Sequence, residues 1–419
     1  MSKFKILLAI IISLTLLQCS QRSNPTNSYE QPIDLPAVEK KLVNSNNEFG
    51  LKLFREINQD KKDSNVFISP LSVSMVLGMT YNGADGDTKE AMHQTLDYGD
   101  LSTEEINQCY KHLINSLTQL DPTVDFQIAN SIWYCLQGRN PKVEFIDLCQ
   151  SYFDALVRGF DIYDPHVEDT INACVEENTN GRIKKILNGV INPVTLMFLI
   201  NAIYFKGAWT YRFDKEFTQD SYFWLPDGSY KICKMMKQKG LFKYFENDAF
   251  EALDLPYGEG NFSMTIFLPY RRTDIDSLIV QFNQNNLNQW LDSLSNASLN
   301  PNDSINIYIP KFKLEFESGL NNLLTTLGMG IAFDPGNADF SKMYEIKPMD
   351  PNVWIDTVLH KTFIEVNEEG TEAAAVAVSE MIEGPSFYFK ANRPFIFMIR
   401  EHQSQTILFI GKITDPNYE

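Results

Sequence analysis

The stretch Val366-Asn367-Glu368-Glu369-Gly370-Thr371-Glu372-Ala373-Ala374-Ala375 leaves a strand-like run and enters a segment of small residues. Every second position from there, Thr371, Ala373, Ala375, Ala377, Ser379 and Met381, falls on one face of an extended chain, and all but Met381 are small. The opposite face carries Glu372, Ala374, Val376, Val378, Glu380 and Ile382. Such a segment can enter a packed β-sheet as a new strand, because small side chains on the buried face leave the core undisturbed. Proline is absent until Pro385, so no ladder donor is missing. The same residues also suit an alanine-rich surface helix. Gly370 and the strand pattern before it favour an exposed, mobile loop, and local helix in that loop is compatible with later insertion.

Outward from this segment, Asn65-Val66-Phe67-Ile68-Ser69-Pro70-Leu71-Ser72 reads as an apolar run, then an N-capping serine and a proline at the first helical position. The helix it opens, 71–81, is apolar nearly all round and belongs in the centre of the molecule; Asn82-Gly83 stops it. Phe49, Leu53 and Ile57 mark an earlier amphipathic helix. Further helices are predicted at 88–96, 103–119, 142–154 and 167–187. Strands are predicted at 196–205, 231–236, 252–255, 262–268, 304–316, 354–366, 387–389, 395–399 and 406–413, with a helical interval at 274–293. Helices early and strands late imply an α+β fold.

Two more stretches complete the pattern: Asn201-Ala202-Ile203-Tyr204-Phe205-Lys206-Gly207-Ala208-Trp209, and Phe389-Lys390-Ala391-Asn392-Arg393-Pro394-Phe395. In this order and spacing, over about residues 37–416, the stretches closely resemble the serpin family of protease inhibitors. The resemblance implies a large central β-sheet, two smaller sheets, eight or nine helices and an exposed reactive loop. It also implies inhibition of serine-type endopeptidases by suicide-substrate trapping, in which the loop is cut and inserts into the large sheet. Residues Glu368, Glu369, Gly370, Thr371, Glu372, Ala373, Ala374 and Ala375 then form the loop hinge. Ser69, Ser72, Asn201 and His360 match the family's polar cluster beneath the parting strands. Trp209, Lys311 and Glu368 match its point of first insertion, with a Lys311–Glu368 pair expected at the surface, where it contributes roughly 0–1 kcal/mol.

Counting from Gly370 with the family's common spacing puts the scissile bond at Gly384–Pro385, where proline is a poor leaving group for most serine peptidases. Counting back from Pro394 gives Glu383–Gly384, which is favoured on chemical grounds; Met381–Ile382 and Ile382–Glu383 are the alternatives. No Arg or Lys lies between Gly370 and Phe389, which disfavours a trypsin-like target. Two alternatives stand beside the main reading: a non-inhibitory binding or carrier module, and an inhibitor of cysteine peptidases, which also form acyl-enzymes. The small hinge residues argue against the carrier.

The chain of 419 residues has no interior linker or repeat, so one large domain over 37–419 is expected. With 36 basic against 54 acidic residues the formal charge is −18, which disfavours nucleic acid and anionic surfaces. No basic run interleaved with aromatics appears along the chain. Lys3 and Lys5 precede an apolar run from Ile6 to Leu17, the pattern of a secretory leader over 1–18. Leu16-Leu17-Gln18-Cys19 resembles a bacterial lipobox, with Cys19 lipidated and 19–36 serving as a flexible tether. Gln18 departs from the small residue usual there, and ordinary leader cleavage is the alternative; a eukaryotic secreted protein is another. The expected location is the cell envelope through the anchor, otherwise the extracellular space. Cys109, Cys135, Cys149, Cys174 and Cys233 are odd in number and irregularly spaced, which fits buried thiols rather than a disulfide framework. The five histidines have no metal-ligand spacing, and no nucleophile elbow or phosphate loop appears. The reading is therefore a monomer without cofactor or metal that is not an enzyme and whose partner is a target endopeptidase, held as a covalent acyl-enzyme.

Overall fold

The computed structural model describes residues 36–189, 191–297, 304–347, 350–371 and 387–418. The leader, Cys19, most of the tether and the loop from 372 to 386 lie outside the described residues.

The first part of the chain is mainly helical: α1 (Ala37–Asp60), β1 (Val66–Ile68), α2 (Pro70–Gly83), α3 (Gly86–Thr95), α4 (Thr103–Gln119), β2 (Val124–Cys135), α5 (Val143–Phe153), β3 (Leu156–Phe160) and α6 (Val167–Asn178). Strands then dominate: β4 (Met197–Ala208), β5 (Gln219–Trp224), β6 (Tyr230–Gly240), β7 (Lys243–Glu246), β8 (Phe250–Tyr257) and β9 (Phe262–Pro269). After α7 (Ile275–Ile279) and α8 (Gln284–Ser295) come β10 (Ile305–Pro310), β11 (Phe312–Gly319), α9 (Asn321–Leu324) and β12 (Leu359–Val366). The chain closes with β13 (Gly370–Thr371), β14 (Phe387–Lys390), β15 (Phe395–Glu401) and β16 (Ile407–Ile413).

Local signals explain several of these elements. The Ser69 hydroxyl accepts from the Ser72 N–H at 3.2 Å and Pro70 opens α2, as expected. Ser102 and Glu105 form a reciprocal capping box that starts α4 where the periodicity places it. Other elements differ from expectation. α6 stops at Asn178, short of 187, because Asn180 and Gly181 take positive φ values of 48° and 78°. The apolar stretch 304–316 is two strands broken after Pro310, and β1, β2, β3, β5 and β7 were not foreseen.

The strands form three layers. A six-stranded sheet in the order β1-β16-β15-β9-β8-β7 lies at the heart of the core, with β9, β15 and β16 buried on both faces. A four-stranded sheet has the order β14-β10-β6-β5. The third sheet is in two parts, β13-β4-β2-β3 and β11-β12. Buried α2 packs against both β4 and β16, joining the third sheet to the first. Burial raises the thiols of Cys109, Cys149 and Cys233 to about 11, 12 and 11, so these cysteines are inert packing groups.

Candidate functional site

The two parts of the third sheet face each other across β4 and β12, and among the described residues no ladder joins them. β4 spends one edge on β2, from Tyr134↔Met197 to Val124↔Gly207, and among the described residues its other edge is paired only at Gly207 and Ala208. β12 spends one edge on β11. Two long unladdered edges inside a sheet are unusual, because backbone donors and acceptors normally find partners. The seam is a narrow cleft lined by Ile203 and Phe205 of β4, Phe363 and Ile364 of β12, and Ile183 from the strap after α6. Arg182 of that strap lies over the Phe363 ring at 5.2 Å and 3.6 Å from the Glu365 carboxylate.

The hinge residues close the top of the seam. After β12 the chain turns through 367–369 and returns as β13, antiparallel to β4, with Gly370 opposite Ala208 and Thr371 opposite Gly207. Gly370 sits at φ 139°, and a Cβ there would lie 2.2 Å from the Gly207 carbonyl oxygen, so only glycine fits. Thr371 is buried, its hydroxyl 2.9 Å from the Tyr257 hydroxyl. The loop thus already has its first two residues in strand geometry at the mouth of the cleft.

The residues matched to the family's insertion point hold this turn. Trp209 stacks on Tyr257 at 4.4 Å, donates its indole N–H to the Asn367 carbonyl at 2.9 Å, and donates its backbone N–H to the Glu369 carbonyl at 3.0 Å. Lys311 pairs with Glu368 at 2.9 Å, and Thr218 donates to the same carboxylate at 2.8 Å. Burial pushes the Glu368 carboxyl up, but the bonds from Lys311 and Thr218 outweigh it and hold the group below its ordinary range. This pair is not at the surface, as the sequence led us to expect: its side chains are 16% and 5% exposed, with the Lys311 ammonium 4.2 Å from the Tyr418 ring centre. Packing of the chain's C-terminal end encloses it, so breaking one partner would leave a buried charge and cost about 3 kcal/mol rather than under one. Lys215 also reaches Glu369.

The four residues matched to the polar cluster divide along the seam. On the β12 side, His360 Nε2 accepts from the Ser69 N–H at 3.0 Å, and the Ser69 hydroxyl donates to the Leu408 carbonyl at 2.7 Å. Ser72 joins this group through its backbone N–H alone. On the β4 side, Asn201 donates to Asn130 at 2.8 Å, and Asn130 donates to the Phe153 carbonyl at 2.7 Å. No hydrogen bond among the described residues links Asn201 to His360. Each half ties its own strand to the body beneath, and nothing in the cluster zips the strands together. Sequence reading overlooked Asn130, Thr218, Tyr257 and Tyr418. The alternation Val124-Asp125-Phe126-Gln127-Ile128 was the available signal for the strand that carries Asn130.

Burial pushes His360 down to about 4, so it is neutral and accepts at Nε2. The unfolded chain takes up a proton near pH 6.5, while the folded one does so only near 4. The stability His360 supplies is therefore complete above 6.5 and is lost as the pH falls through that window, by roughly 3 kcal/mol in all. His402, also lowered to about 4 by burial, adds a second contribution over the same range. Urea midpoints at pH 7.5, 6 and 5 should fall less steeply in His360→Gln than in the parent; parallel curves would refute this assignment.

Glu372, Ala373, Ala374, Ala375, Met381, Ile382, Glu383 and Gly384, and with them every candidate scissile bond, lie outside the described residues.

Comparison with known proteins matches this arrangement. The family model Serpin (serine protease inhibitor) covers residues 44–416. An uncharacterized serpin-like protein of Methanosarcina acetivorans is 32% identical, with 100% of this chain and 99% of that protein aligned. The leukocyte elastase inhibitor of Equus caballus is 33% identical over 90% of this chain and 100% of its own length. The crystal structure of tengpin, a thermophilic serpin in its native state, superposes with a TM-score of 0.80 at 32% identity, covering 92% of this chain and 97% of tengpin. The unladdered seam, the hinge at its mouth and a family match over nearly the whole body lead to one conclusion: this chain belongs to the serpin family.

Proposed function

We propose that this serpin inhibits serine-type endopeptidases as a suicide substrate. The observation that carries the reading is the turn at the end of β12: Gly370 and Thr371 are already strand-paired to β4, at the head of a seam whose two edges share no ladder among the described residues. The peptidase's serine oxygen attacks the loop carbonyl, taken here as that of Glu383. The bond to the Gly384 nitrogen breaks, the nitrogen leaves as an amine carrying a proton from the peptidase's general acid, and an acyl-enzyme ester remains. The freed loop then extends down the seam from Thr371, pairing with β4 on one side and β12 on the other. The thirteen residues from Thr371 to Glu383, at ~3.3 Å each, carry the bound peptidase about 43 Å. New ladder bonds drive the movement, and the displaced peptidase loses the geometry needed to admit water.

The strap at 179–183 must yield first, because it covers the cleft. The leader and Cys19 add the reading that the mature protein sits outside the cytoplasm on a lipid anchor, as a monomer.

The test mixes the mature protein with glutamate-preferring, elastase-, chymotrypsin- and subtilisin-like peptidases, plus a cysteine peptidase, on denaturing gels. A denaturant-stable complex with cleavage between Met381 and Gly384 is expected. Complexes with the cysteine peptidase alone would move the target class. Clean loop cleavage by all, without complex and without a gain in thermal stability, would sink the inhibitor reading and favour a carrier. Mass spectrometry of protein from its own cells reads whether the chain starts at a lipidated Cys19; an unmodified start would remove the anchor.

A further inference from the structure

The four-stranded sheet is cationic in a chain that is not. Its strands carry Lys231, Lys234, Lys237, Lys239 and Lys390 against one acidic residue, Asp220, whereas the whole chain is at −18. Four of these lysines lie on β6, and the fifth, Lys390, is brought to them by β14 from far along the chain. Register sets Lys237 of β6 and Lys390 of β14 on either side of Tyr308 of β10. Their ammonium groups lie 5.7 and 5.5 Å from the Tyr308 ring centre. Tyr388, 57% exposed, stacks beside that ring at 6.2 Å.

Two other lysines of this sheet are neutralised: Lys234 pairs with Asp220 at 2.8 Å, and Lys231 reaches Asp415. Among the described residues, neither Lys237 nor Lys390 has a carboxylate within ion-pair distance. Each gains something from the ring, but two like charges over one tyrosine repel, and folding does not require them there.

We propose that Lys237, Tyr308, Tyr388 and Lys390 form a docking surface for an acidic flank of the target peptidase, on the side of its cleft that holds residues following the cut bond. The proposal rests on the inhibitor reading, which puts the cut near Gly384. From Gly384 to Phe387, where β14 begins, is three residues, about 10 Å of extended chain. A peptidase of some 200 residues has a radius of gyration of about 16 Å. With its cleft on the loop, its body must overhang β14 and the strand beside it. An exposed tyrosine with two lysines that meet no carboxylate among the described residues then faces it directly, and carboxylates on the peptidase supply a counter-charge. Charge pairing of this kind acts mainly on the speed and salt dependence of encounter.

The experiment uses the mature protein, the double variant K237E/K390E, and the variant K234E, whose altered side chain lies on the other face of β6. The probe is a glutamate-preferring peptidase of net negative charge, with its catalytic serine replaced by alanine so that only reversible docking is read. At about 50 mM salt the double variant should dock roughly tenfold more weakly than the parent, with K234E unchanged and the gap closing near 0.5 M salt. Equal affinities at low salt, or no measurable docking by the parent, would overturn the proposal. So would loss of binding to a sulfated polysaccharide with peptidase docking untouched, which would make this a polyanion site. The active peptidase is assayed separately: charge-dependent docking without a covalent complex would remove the inhibitor reading and leave this surface standing.

Discussion

A Thr371→Arg variant is expected to be cut at the same loop bond as the parent but to release its peptidase active. In the proposed insertion Thr371 is the first side chain to enter the seam, and it is already buried, hydrogen-bonded to Tyr257 and set at a mouth lined by Ile203, Phe205 and Ile364. An arginine there has to bring a guanidinium past apolar walls. Glu365, the nearest carboxylate lining the cleft, is engaged by Arg182 and by the Tyr418 hydroxyl. A desolvation penalty of about 3 kcal/mol in the inserting state would slow insertion roughly a hundredfold. Deacylation by water, which is unaffected, would then win. The measurement is the number of inhibitor molecules consumed per peptidase trapped, read with the yield of complex on denaturing gels. An undiminished yield would mean that Thr371 does not enter the sheet, and the insertion mechanism would fail with it.

Gly370→Val should free the hinge before any peptidase arrives. The backbone at Gly370 holds φ 139°, and a Cβ would meet the Gly207 oxygen at 2.2 Å and the Ala208 Cα at 2.7 Å, neither of which can move aside without breaking β4. The chain at 370–371 must therefore leave the sheet. That removes the β13 pairing and strands the buried Tyr257 hydroxyl, for a combined loss of about 3–4 kcal/mol. Trp209, stacked on Tyr257 and bonded to Asn367, is the natural reporter: its emission should shift as the turn loosens. Amide exchange at 370–371 should rise by more than about a hundredfold. Retained protection in the variant would contradict the pairing seen here.

Several elements were legible because their determinants lie within a few residues of each other. The capping box of α4, the serine cap and proline start of α2, and the alternation that points His360, Thr362 and Ile364 inward are local facts of side-chain chemistry and period. α6 was read too long because helical periodicity continues past Asn178, while the positive φ at Asn180 and Gly181 ends it and makes the chain beyond it a strap. β2 was passed over, and with it Asn130, because its second half is buried on both faces and loses the two-residue rhythm.

The sequence by itself determined the family and the α+β class, because motif spacing and residue periodicity are properties of single stretches of chain. Only the tertiary structure decided which edges stay unpaired, which pairs are buried and which charges meet. That β4 and β12 share no ladder among the described residues, that Lys311 and Glu368 pair away from water, and that Lys237 and Lys390 converge on Tyr308 all depend on strand register and layer packing. These bring together residues as many as 153 positions apart, from 237 to 390, through backbone hydrogen bonds that carry no mark of their partner in the sequence.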